Sequence, residues 1–301
     1  MDEISFDSHG TSCAGWYLPA GNDDLRTAAG RPCVVMGHGF GATRDAGLLP
    51  FARRFAAAGA DVLMFDYRGF GTSDGVPRQD VDHRKHRQDY HAAVAAARAR
   101  SDVDPSRIVV WGSSYSGGHV VAVAAADRRI AAVISQGAAM DGLVALRMVQ
   151  STSGTGKLVS LTVDALLDAG RALLGRRARM VPIVGEPGSS AVIVSPGADR
   201  GYRAIVGPTF RNEMCARGIL RIALNRPVTS ARKLRAPILL VVAERDNVAP
   251  VSAVRRVARK AGRLAETESF DCGHFDIYVG EVFEKSVARQ VEFLRGRLAT
   301  R

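Results

Sequence analysis

The 301-residue sequence contains no long hydrophobic run and only four cysteines. Nowhere do about eighteen apolar residues follow one another without a charge, which argues against a membrane-spanning helix. The first twenty residues have neither a basic start nor a long apolar stretch, so we expect no signal peptide. The cysteines lie far apart without disulfide or metal-ligand spacing, and we expect small buried thiols in a reducing cytoplasm; they are Cys13, Cys33, Cys215 and Cys272.

Lysine is also scarce, so the formal net charge of +11 comes mostly from arginine. Clustered basic residues would suggest nucleic acid or an anionic surface. These arginines are spread along the chain, and no nucleic-acid-binding motif accompanies the densest runs, DHRKHRQD and GRALLGRRARM. We therefore expect a solvated basic surface that binds neither nucleic acid nor membrane. An acidic acyl-carrier protein and a second copy of the chain stay open as partners.

Short apolar runs alternate with helical patterns along most of the chain, which is typical of parallel strands joined by crossover helices. The predicted fold class is therefore α/β, a mostly parallel sheet flanked by helices, with a hairpin ahead of it up to about Pro19. The strand candidates are 32–37, 61–66, 107–112, 131–137 and 237–244. Helical apolar spacing marks 48–59, 86–100, 117–127, 251–262 and 281–298.

The alternation stops between residues 141 and 232. A helical patch (158–175) is followed by loops rich in proline, glycine and serine (181–201) and by a second helical patch (211–224). This pattern predicts a cap inserted into a core formed by 1–140 and 233–301. Its apolar side chains could line a substrate pocket or form the cap's own core, and the second role is favoured for most of them; they are Leu143, Leu146, Met148, Leu161, Leu166 and Phe210.

The stretch VVWGSSYSGGHVVAV (109–123) places three serines between an apolar run and a helical pattern. A nucleophile elbow has the form G-x-S-x-G on a strand–turn–helix. Counted from Gly112, the exposed residue is Ser114, and Ser116 is small enough to replace the last glycine. Ser113 is expected to point back into the strand. A serine-rich helix cap without chemistry explains this stretch equally well.

Three other segments favour a nucleophile at Ser114, and the first of them offers an oxyanion donor. MGHGFGATRDAG (36–47) follows a buried strand, so the backbone amide of Phe40 could act with that of Tyr115 as an oxyanion hole. The side chain of His38 is expected to bond its own loop.

A candidate acid and a candidate base follow late strands. LLVVAERDNVAP places Asp246 just past a strand, and ESFDCGHFDIYVG places His274 on a loop. The order Ser114, Asp246, His274 is the order of hydrolases with a nucleophile elbow. Weaker candidates for the acid are Glu244, Asp271 and Asp276.

Two other chemistries fit less well. SGTGKL lacks the upstream glycine and the Ser or Thr that a phosphate loop needs after Lys157. His83, His86 and His91 lie on one predicted helix, but we interpret them as a polar helix face, since catalytic zinc needs three converging ligands. We therefore expect neither a metal nor a cofactor.

The sequence resembles the α/β-hydrolase superfamily over essentially its whole length, and DYRGFGTSDG (66–75) matches the family's glycine-rich turn beside the active site. WGSSYSGGH, DYRGFGTSDGVPRQ and AERDNVAP resemble the bacterial serine hydrolases labelled X-prolyl dipeptidyl-peptidase-like and the related hydrolases and acyltransferases of polyketide pathways. The resemblance implies a cytoplasmic serine hydrolase acting on an ester or thioester of a small-molecule acyl substrate. An acyltransferase is the alternative. A peptidase is less favoured because no long C-terminal β-domain is present, and so is a non-catalytic binding protein, because no triad residue is missing.

Overall fold

A computed structural model describes residues 1–298 of the chain. Its strands are β1 (Asp2–Ser8), β2 (Thr11–Leu18), β3 (Arg31–Gly37), β4 (Asp61–Phe65), β5 (Val103–Ser113), β6 (Ile130–Gln136), β7 (Met180–Val181), β8 (Met214–Cys215), β9 (Ile238–Ala243) and β10 (Ala265–Phe270). Its α-helices are α1 (Leu49–Ala57), α2 (His83–Arg98), α3 (Tyr115–Ala126), α4 (Gly142–Leu173), α5 (Ala198–Arg203), α6 (Ile219–Ile222), α7 (Val251–Ala261) and α8 (Gly280–Leu298).

Eight strands form one sheet in the order β1-β2-β4-β3-β5-β6-β9-β10. The pairs β1–β2 and β2–β4 are antiparallel, and all other pairs are parallel. The predicted hairpin and the predicted parallel sheet are therefore both confirmed. Because parallel strands end at the same edge, the loops after β3, β5, β9 and β10 meet at one side of the sheet.

Two apolar layers cover the two faces of the sheet. Along β3, Cys33 and Val35 belong to one buried cluster, whereas Val34 and Met36 belong to the other. The alternation follows from the period of two residues in a strand. Both faces are covered by helices, so strands such as β4 and β9 are nearly continuous apolar runs.

The segment between β6 and β9 contains α4, α5 and α6 together with the small β7–β8 pair. Asp141 caps α4 by accepting a hydrogen bond from the Leu143 amide, and the helix is interrupted at Gly154, where φ is 80°. Within residues 1–298, no helix combines the length and the apolar character needed to cross a membrane.

The predicted helical patch at 211–224 is only partly confirmed, because helical turns cover residues 216–222 and not the rest of it. Met214–Cys215 pairs with β7, and only Ile219–Ile222 forms α-helix. The sequence there has helical apolar spacing, but strand pairing satisfies the backbone of Met214 and Cys215 instead. Tertiary context overrides local propensity in such short segments.

The interpretation of the α2 histidines as a polar face is also wrong for two of them, because His83 and His86 are buried. The imidazole of His86 stacks on the Tyr67 ring at 4.1 Å between centroids. The imidazole of His119, on α3, lies 5.5 Å from the His86 ring. The rings serve as aromatic packing between α2, α3 and the sheet. In the part of the chain that the structure describes, no cluster of three metal-ligating side chains occurs.

These buried histidines make the fold sensitive to acid. Burial lowers the pKa of His86 and His119 well below the ordinary value of 6.5, and it lowers that of His83 to about 4. Below pH 6.5 the unfolded chain therefore binds protons that the folded chain does not. The free energy of unfolding should fall as the pH drops from about 6.5 towards 4, by up to about 1.4 kcal/mol per pH unit for each histidine.

Urea titrations at pH 7.5, 6.5 and 5.5 measure this loss. We expect His86→Gln to lose less stability between pH 6.5 and 5.5 than the wild type. His9→Asn, at an exposed turn position, should keep the wild-type dependence. If the free energy of unfolding depended on pH equally in the wild type and in His86→Gln, His86 would not be a source of the acid sensitivity.

Candidate functional site

Ser114 lies on a sharp turn between β5 and α3. Its backbone has φ 56° and ψ −118°, a conformation that costs energy for any residue with a side chain. Two backbone hydrogen bonds hold it there: the Ser114 amide donates to the Gln136 carbonyl at 2.8 Å, and the Ala139 amide donates to the Ser114 carbonyl at 2.9 Å. This is the backbone geometry of a nucleophile elbow.

Small residues on either side permit the turn. A Cβ at Gly112 would overlap the backbone carbonyl of Ser116, so the strand and the helix could not approach with a larger residue. Ser116 Oγ donates to the Gly37 carbonyl at 2.6 Å, so the serine in place of the last glycine of the G-x-S-x-G motif bonds the helix to β3. Ser113 is buried, and its hydroxyl contacts the Tyr278 hydroxyl at 2.5 Å.

The structure brings the three predicted polar side chains together from separate loops. His274 Nε2 lies 3.1 Å from Ser114 Oγ, and His274 Nδ1 lies 2.6 Å from Asp246 Oδ2. The other oxygen of Asp246, Oδ1, accepts hydrogen bonds from the backbone amides of Val248 and Ala249 at 2.8 and 2.7 Å. The side chains of His274 and Asp246 are almost fully buried, so the carboxylate is both oriented and shielded from water.

None of the three weaker acid candidates contacts His274. Glu244 pairs with Arg255 at 2.6 Å, and Asp271 pairs with Arg245 at 3.1 Å. Asp276 accepts a hydrogen bond from the Gly273 amide at 2.7 Å, within its own loop.

The loop after β3 lies against the serine. A Cβ at Gly39 would be 3.2 Å from Ser114 Cβ, and the Phe40 ring packs edge-to-face on Tyr115 with centroids 5.2 Å apart. Tyr115 is the first residue of α3, so its amide is among those that have no partner within the helix. The His38 side chain bonds its own loop, with Nδ1 3.1 Å from the Gly39 carbonyl, as predicted. Burial lowers the pKa of His38, which keeps the ring neutral.

Two cavities open beside Ser114. The larger, of about 100 Å³, is mainly apolar and runs between α3, the start of α4 and the loop after β9. The smaller, of about 20 Å³, lies on the side of His274. Phe40, Ile193 and Val248 line both.

The six apolar residues that the sequence offered as pocket liners or as the cap's own core do not line either cavity. Leu161 is buried in the core, and Leu166 is 58% exposed on the outer side of α4. The larger cavity is lined instead by smaller apolar residues, among them Ala145, Val149, Val192 and Ile222. These residues belong to no motif and come from three separate segments of the chain, so spacing alone could not identify them.

Asn225 is a polar lining residue that the sequence did not indicate. It is buried, and its Oδ1 accepts a hydrogen bond from Arg87 at 2.5 Å. It comes from the segment between β6 and β9 and contacts α2 across 138 residues of sequence. No local pattern could have revealed such a contact.

Comparison with known proteins agrees with this architecture. Residues 32–155 match a family model described as the alpha/beta hydrolase fold. The quorum-quenching protein AidA of Acinetobacter baumannii is 40% identical over 97% of this chain and 94% of AidA. The polyketide transferase grgF of a Penicillium species is 26% identical over 96% of this chain and 94% of that protein. The crystal structure of the α/β hydrolase GrgF from Penicillium sp. sh18 superposes with a TM-score of 0.84 at 25% identity, covering 99% of both chains.

Proposed function

This chain belongs to the α/β-hydrolase family, and we propose that it is a serine hydrolase that cleaves a carboxylic ester or thioester through an acyl-enzyme on Ser114. The observation that supports the proposal most directly is the hydrogen-bonded series Ser114–His274–Asp246, with distances of 3.1 and 2.6 Å. Such a series is the arrangement that activates a serine hydroxyl.

In this mechanism His274 Nε2 takes the proton of Ser114 as the hydroxyl attacks the carbonyl carbon. Asp246 holds Nδ1 of the ring protonated and stabilises the imidazolium that forms. His274 then gives its proton to the leaving group, which departs and leaves the acyl group on Ser114. Water, activated by the same imidazole, releases the acid.

The amides of Phe40 and Tyr115 are the proposed donors to the oxyanion. Both residues line the larger cavity together with Ser114, and Tyr115 opens a twelve-residue helix whose N-terminus favours negative charge. The larger cavity suits an apolar acyl group, because its polar lining is confined to a few residues. The smaller cavity, beside His274, suits the leaving group that this histidine protonates.

The mechanism needs only side chains and water, so no cofactor is included in the proposal. A cytoplasmic location, an acyl-carrier partner and a homodimer stay predictions from the sequence. The predicted cap at 141–232 likewise remains a proposal; its residues Val192 and Ile193 line the cavity together with Ser114.

An acyltransferase is the second candidate for the reaction. The similarity to the polyketide transferase grgF favours it, since the same acyl-enzyme yields a new ester or amide when an alcohol or amine reaches it before water. The chemistry of the first step is identical in both cases.

The similarity to AidA favours a candidate biological role. Because AidA is described as a quorum-quenching protein and is 40% identical over nearly the full chain, we propose quorum quenching as a role that this site could serve.

Replacing Ser114 by Ala removes the nucleophile. We expect turnover of p-nitrophenyl butyrate to fall by about 10⁴–10⁶-fold, as for other serine triads. Ser113→Ala is the matched control, because that neighbouring hydroxyl bonds Tyr278 and not His274, and its turnover should stay within a few-fold of the wild type. Full activity of Ser114→Ala would refute the assignment.

Mixing the wild type with p-nitrophenyl butyrate distinguishes hydrolysis from transfer. We expect continuous nitrophenol release with little mass adduct on the intact protein, because water reaches the acyl-enzyme of a hydrolase. A single burst with a stable butyryl adduct would show that water is excluded, and it would support the acyltransferase.

A bacterial quorum-sensing reporter strain tests the biological role. Purified wild-type protein should reduce the reporter signal, and Ser114→Ala should not, if quenching uses the proposed nucleophile. Equal reduction by both proteins would mean that the signal is bound and not cleaved, and no reduction by the wild type would exclude the role in that strain.

A further inference from the structure

Tyr202 connects the segment between β6 and β9 to the loop that carries the proposed oxyanion donor. It lies on α5, is 5% exposed, and its hydroxyl donates to the Phe40 carbonyl across 162 residues of sequence. Its ring lines the smaller cavity together with Ser114 and His274. We propose that Tyr202 is a positioning residue that fixes the oxyanion loop for the reaction; the inference rests on the proposed function.

The loop after β3 is held from the same side at two further points. Gly41 has φ 66°, and a Cβ there would be 2.5 Å from the Ile183 side chain, so Ile183 closes directly over the peptide after Phe40. At the other end of the loop, Asp45 accepts two hydrogen bonds from Thr209, at 3.1 Å from its amide and 2.9 Å from its hydroxyl. Ile183 and Thr209 both belong to the segment between β6 and β9.

Of these three contacts, the hydrogen bond of the Tyr202 hydroxyl is the one made to Phe40 itself. The hydroxyl binds the carbonyl of Phe40, the residue whose amide faces the serine in the proposed mechanism. This hydrogen bond fixes the peptide plane between Phe40 and Gly41. It thereby limits rotation about the two backbone bonds of Phe40 that connect this plane to the plane carrying the Phe40 amide. Burial raises the pKa of Tyr202, so the hydroxyl stays protonated and able to donate.

The same side chain also touches the histidine loop. The Tyr202 ring lies 5.7 Å from the Phe275 ring, and Phe275 packs edge-to-face against His274 at 4.9 Å between centroids. Gly201 allows this approach, because a Cβ there would be 2.6 Å from the Phe275 ring. Tyr202 therefore contacts the loops of both the oxyanion donor and the base.

Tyr202→Phe tests the hydroxyl while keeping the ring and its contact with Phe275. With p-nitrophenyl butyrate we expect kcat to fall roughly 10- to 100-fold, less than the loss from deleting an oxyanion donor itself, and KM to stay within about twofold. The inhibition constant of butylboronic acid, which forms a tetrahedral adduct on a serine, should rise by the same factor as kcat/KM falls.

Tyr17→Phe is the control. Tyr17 is also fully buried, and its hydroxyl bonds Asp61 at 2.6 Å at the first residue of β4, the end of the sheet opposite the site. The variant should lose stability without losing kcat. An unchanged kcat in Tyr202→Phe, or an equal loss in Tyr17→Phe, would overturn the proposal.

Hydrogen exchange of residues 39–46 adds a readout that needs no substrate. These amides should exchange faster in Tyr202→Phe than in the wild type and in Tyr17→Phe, and unchanged exchange would overturn the positioning role. Failure of the proposed function is seen separately, as equal turnover by the wild type and Ser114→Ala.

Discussion

The close approach of α3 to β3 and β5 is the constraint on which the site depends. Ser114 can hold its strained backbone only because Gly112 leaves space for the first helical turn and because Ser116 bonds the Gly37 carbonyl. Strain of this kind persists where the surroundings over-determine the conformation. The result is a hydroxyl directed away from the strand at the edge where the other loops meet, within 3.1 Å of His274.

The segment between β6 and β9 is part of the site and not only a cover above it. Ser195 Oγ donates to the Asn247 carbonyl at 2.6 Å, and the Asn247 side chain donates to the Pro196 carbonyl at 3.0 Å, which ties the segment to the acid loop beside Asp246. Tyr202 ties it to the loops of Phe40 and His274. A change in this segment can therefore shift the loops that hold Phe40, Asp246 and His274.

The sequence was sufficient for features that rest on local chemistry. The run 107–112 predicted a buried strand, although β5 begins earlier, at Val103, because Arg31 of β3 pairs with it there. The order of Ser114, Asp246 and His274 predicted which side chains would meet, and the structure places them within hydrogen-bonding distance. The burial of His86 and the identity of the pocket walls depend on how elements distant in sequence pack. The interpretation of His86 as part of a polar face was therefore wrong, and no pattern in the sequence identified the residues that line the larger cavity.

The long segment between the neighbouring strands β6 and β9 has a consequence for folding. Strand β6 ends at Gln136 and pairs with β9, which begins at Ile238, so this pairing closes a loop of about 100 residues. The entropic cost of closing a loop rises only slowly with its length, but such a distant contact forms slowly. Ser114 precedes that loop, whereas Asp246 and His274 follow it. A chain still emerging from the ribosome thus has Ser114 without His274 and Asp246, and the hydrogen-bonded series of the three side chains forms only when the last strands are in place.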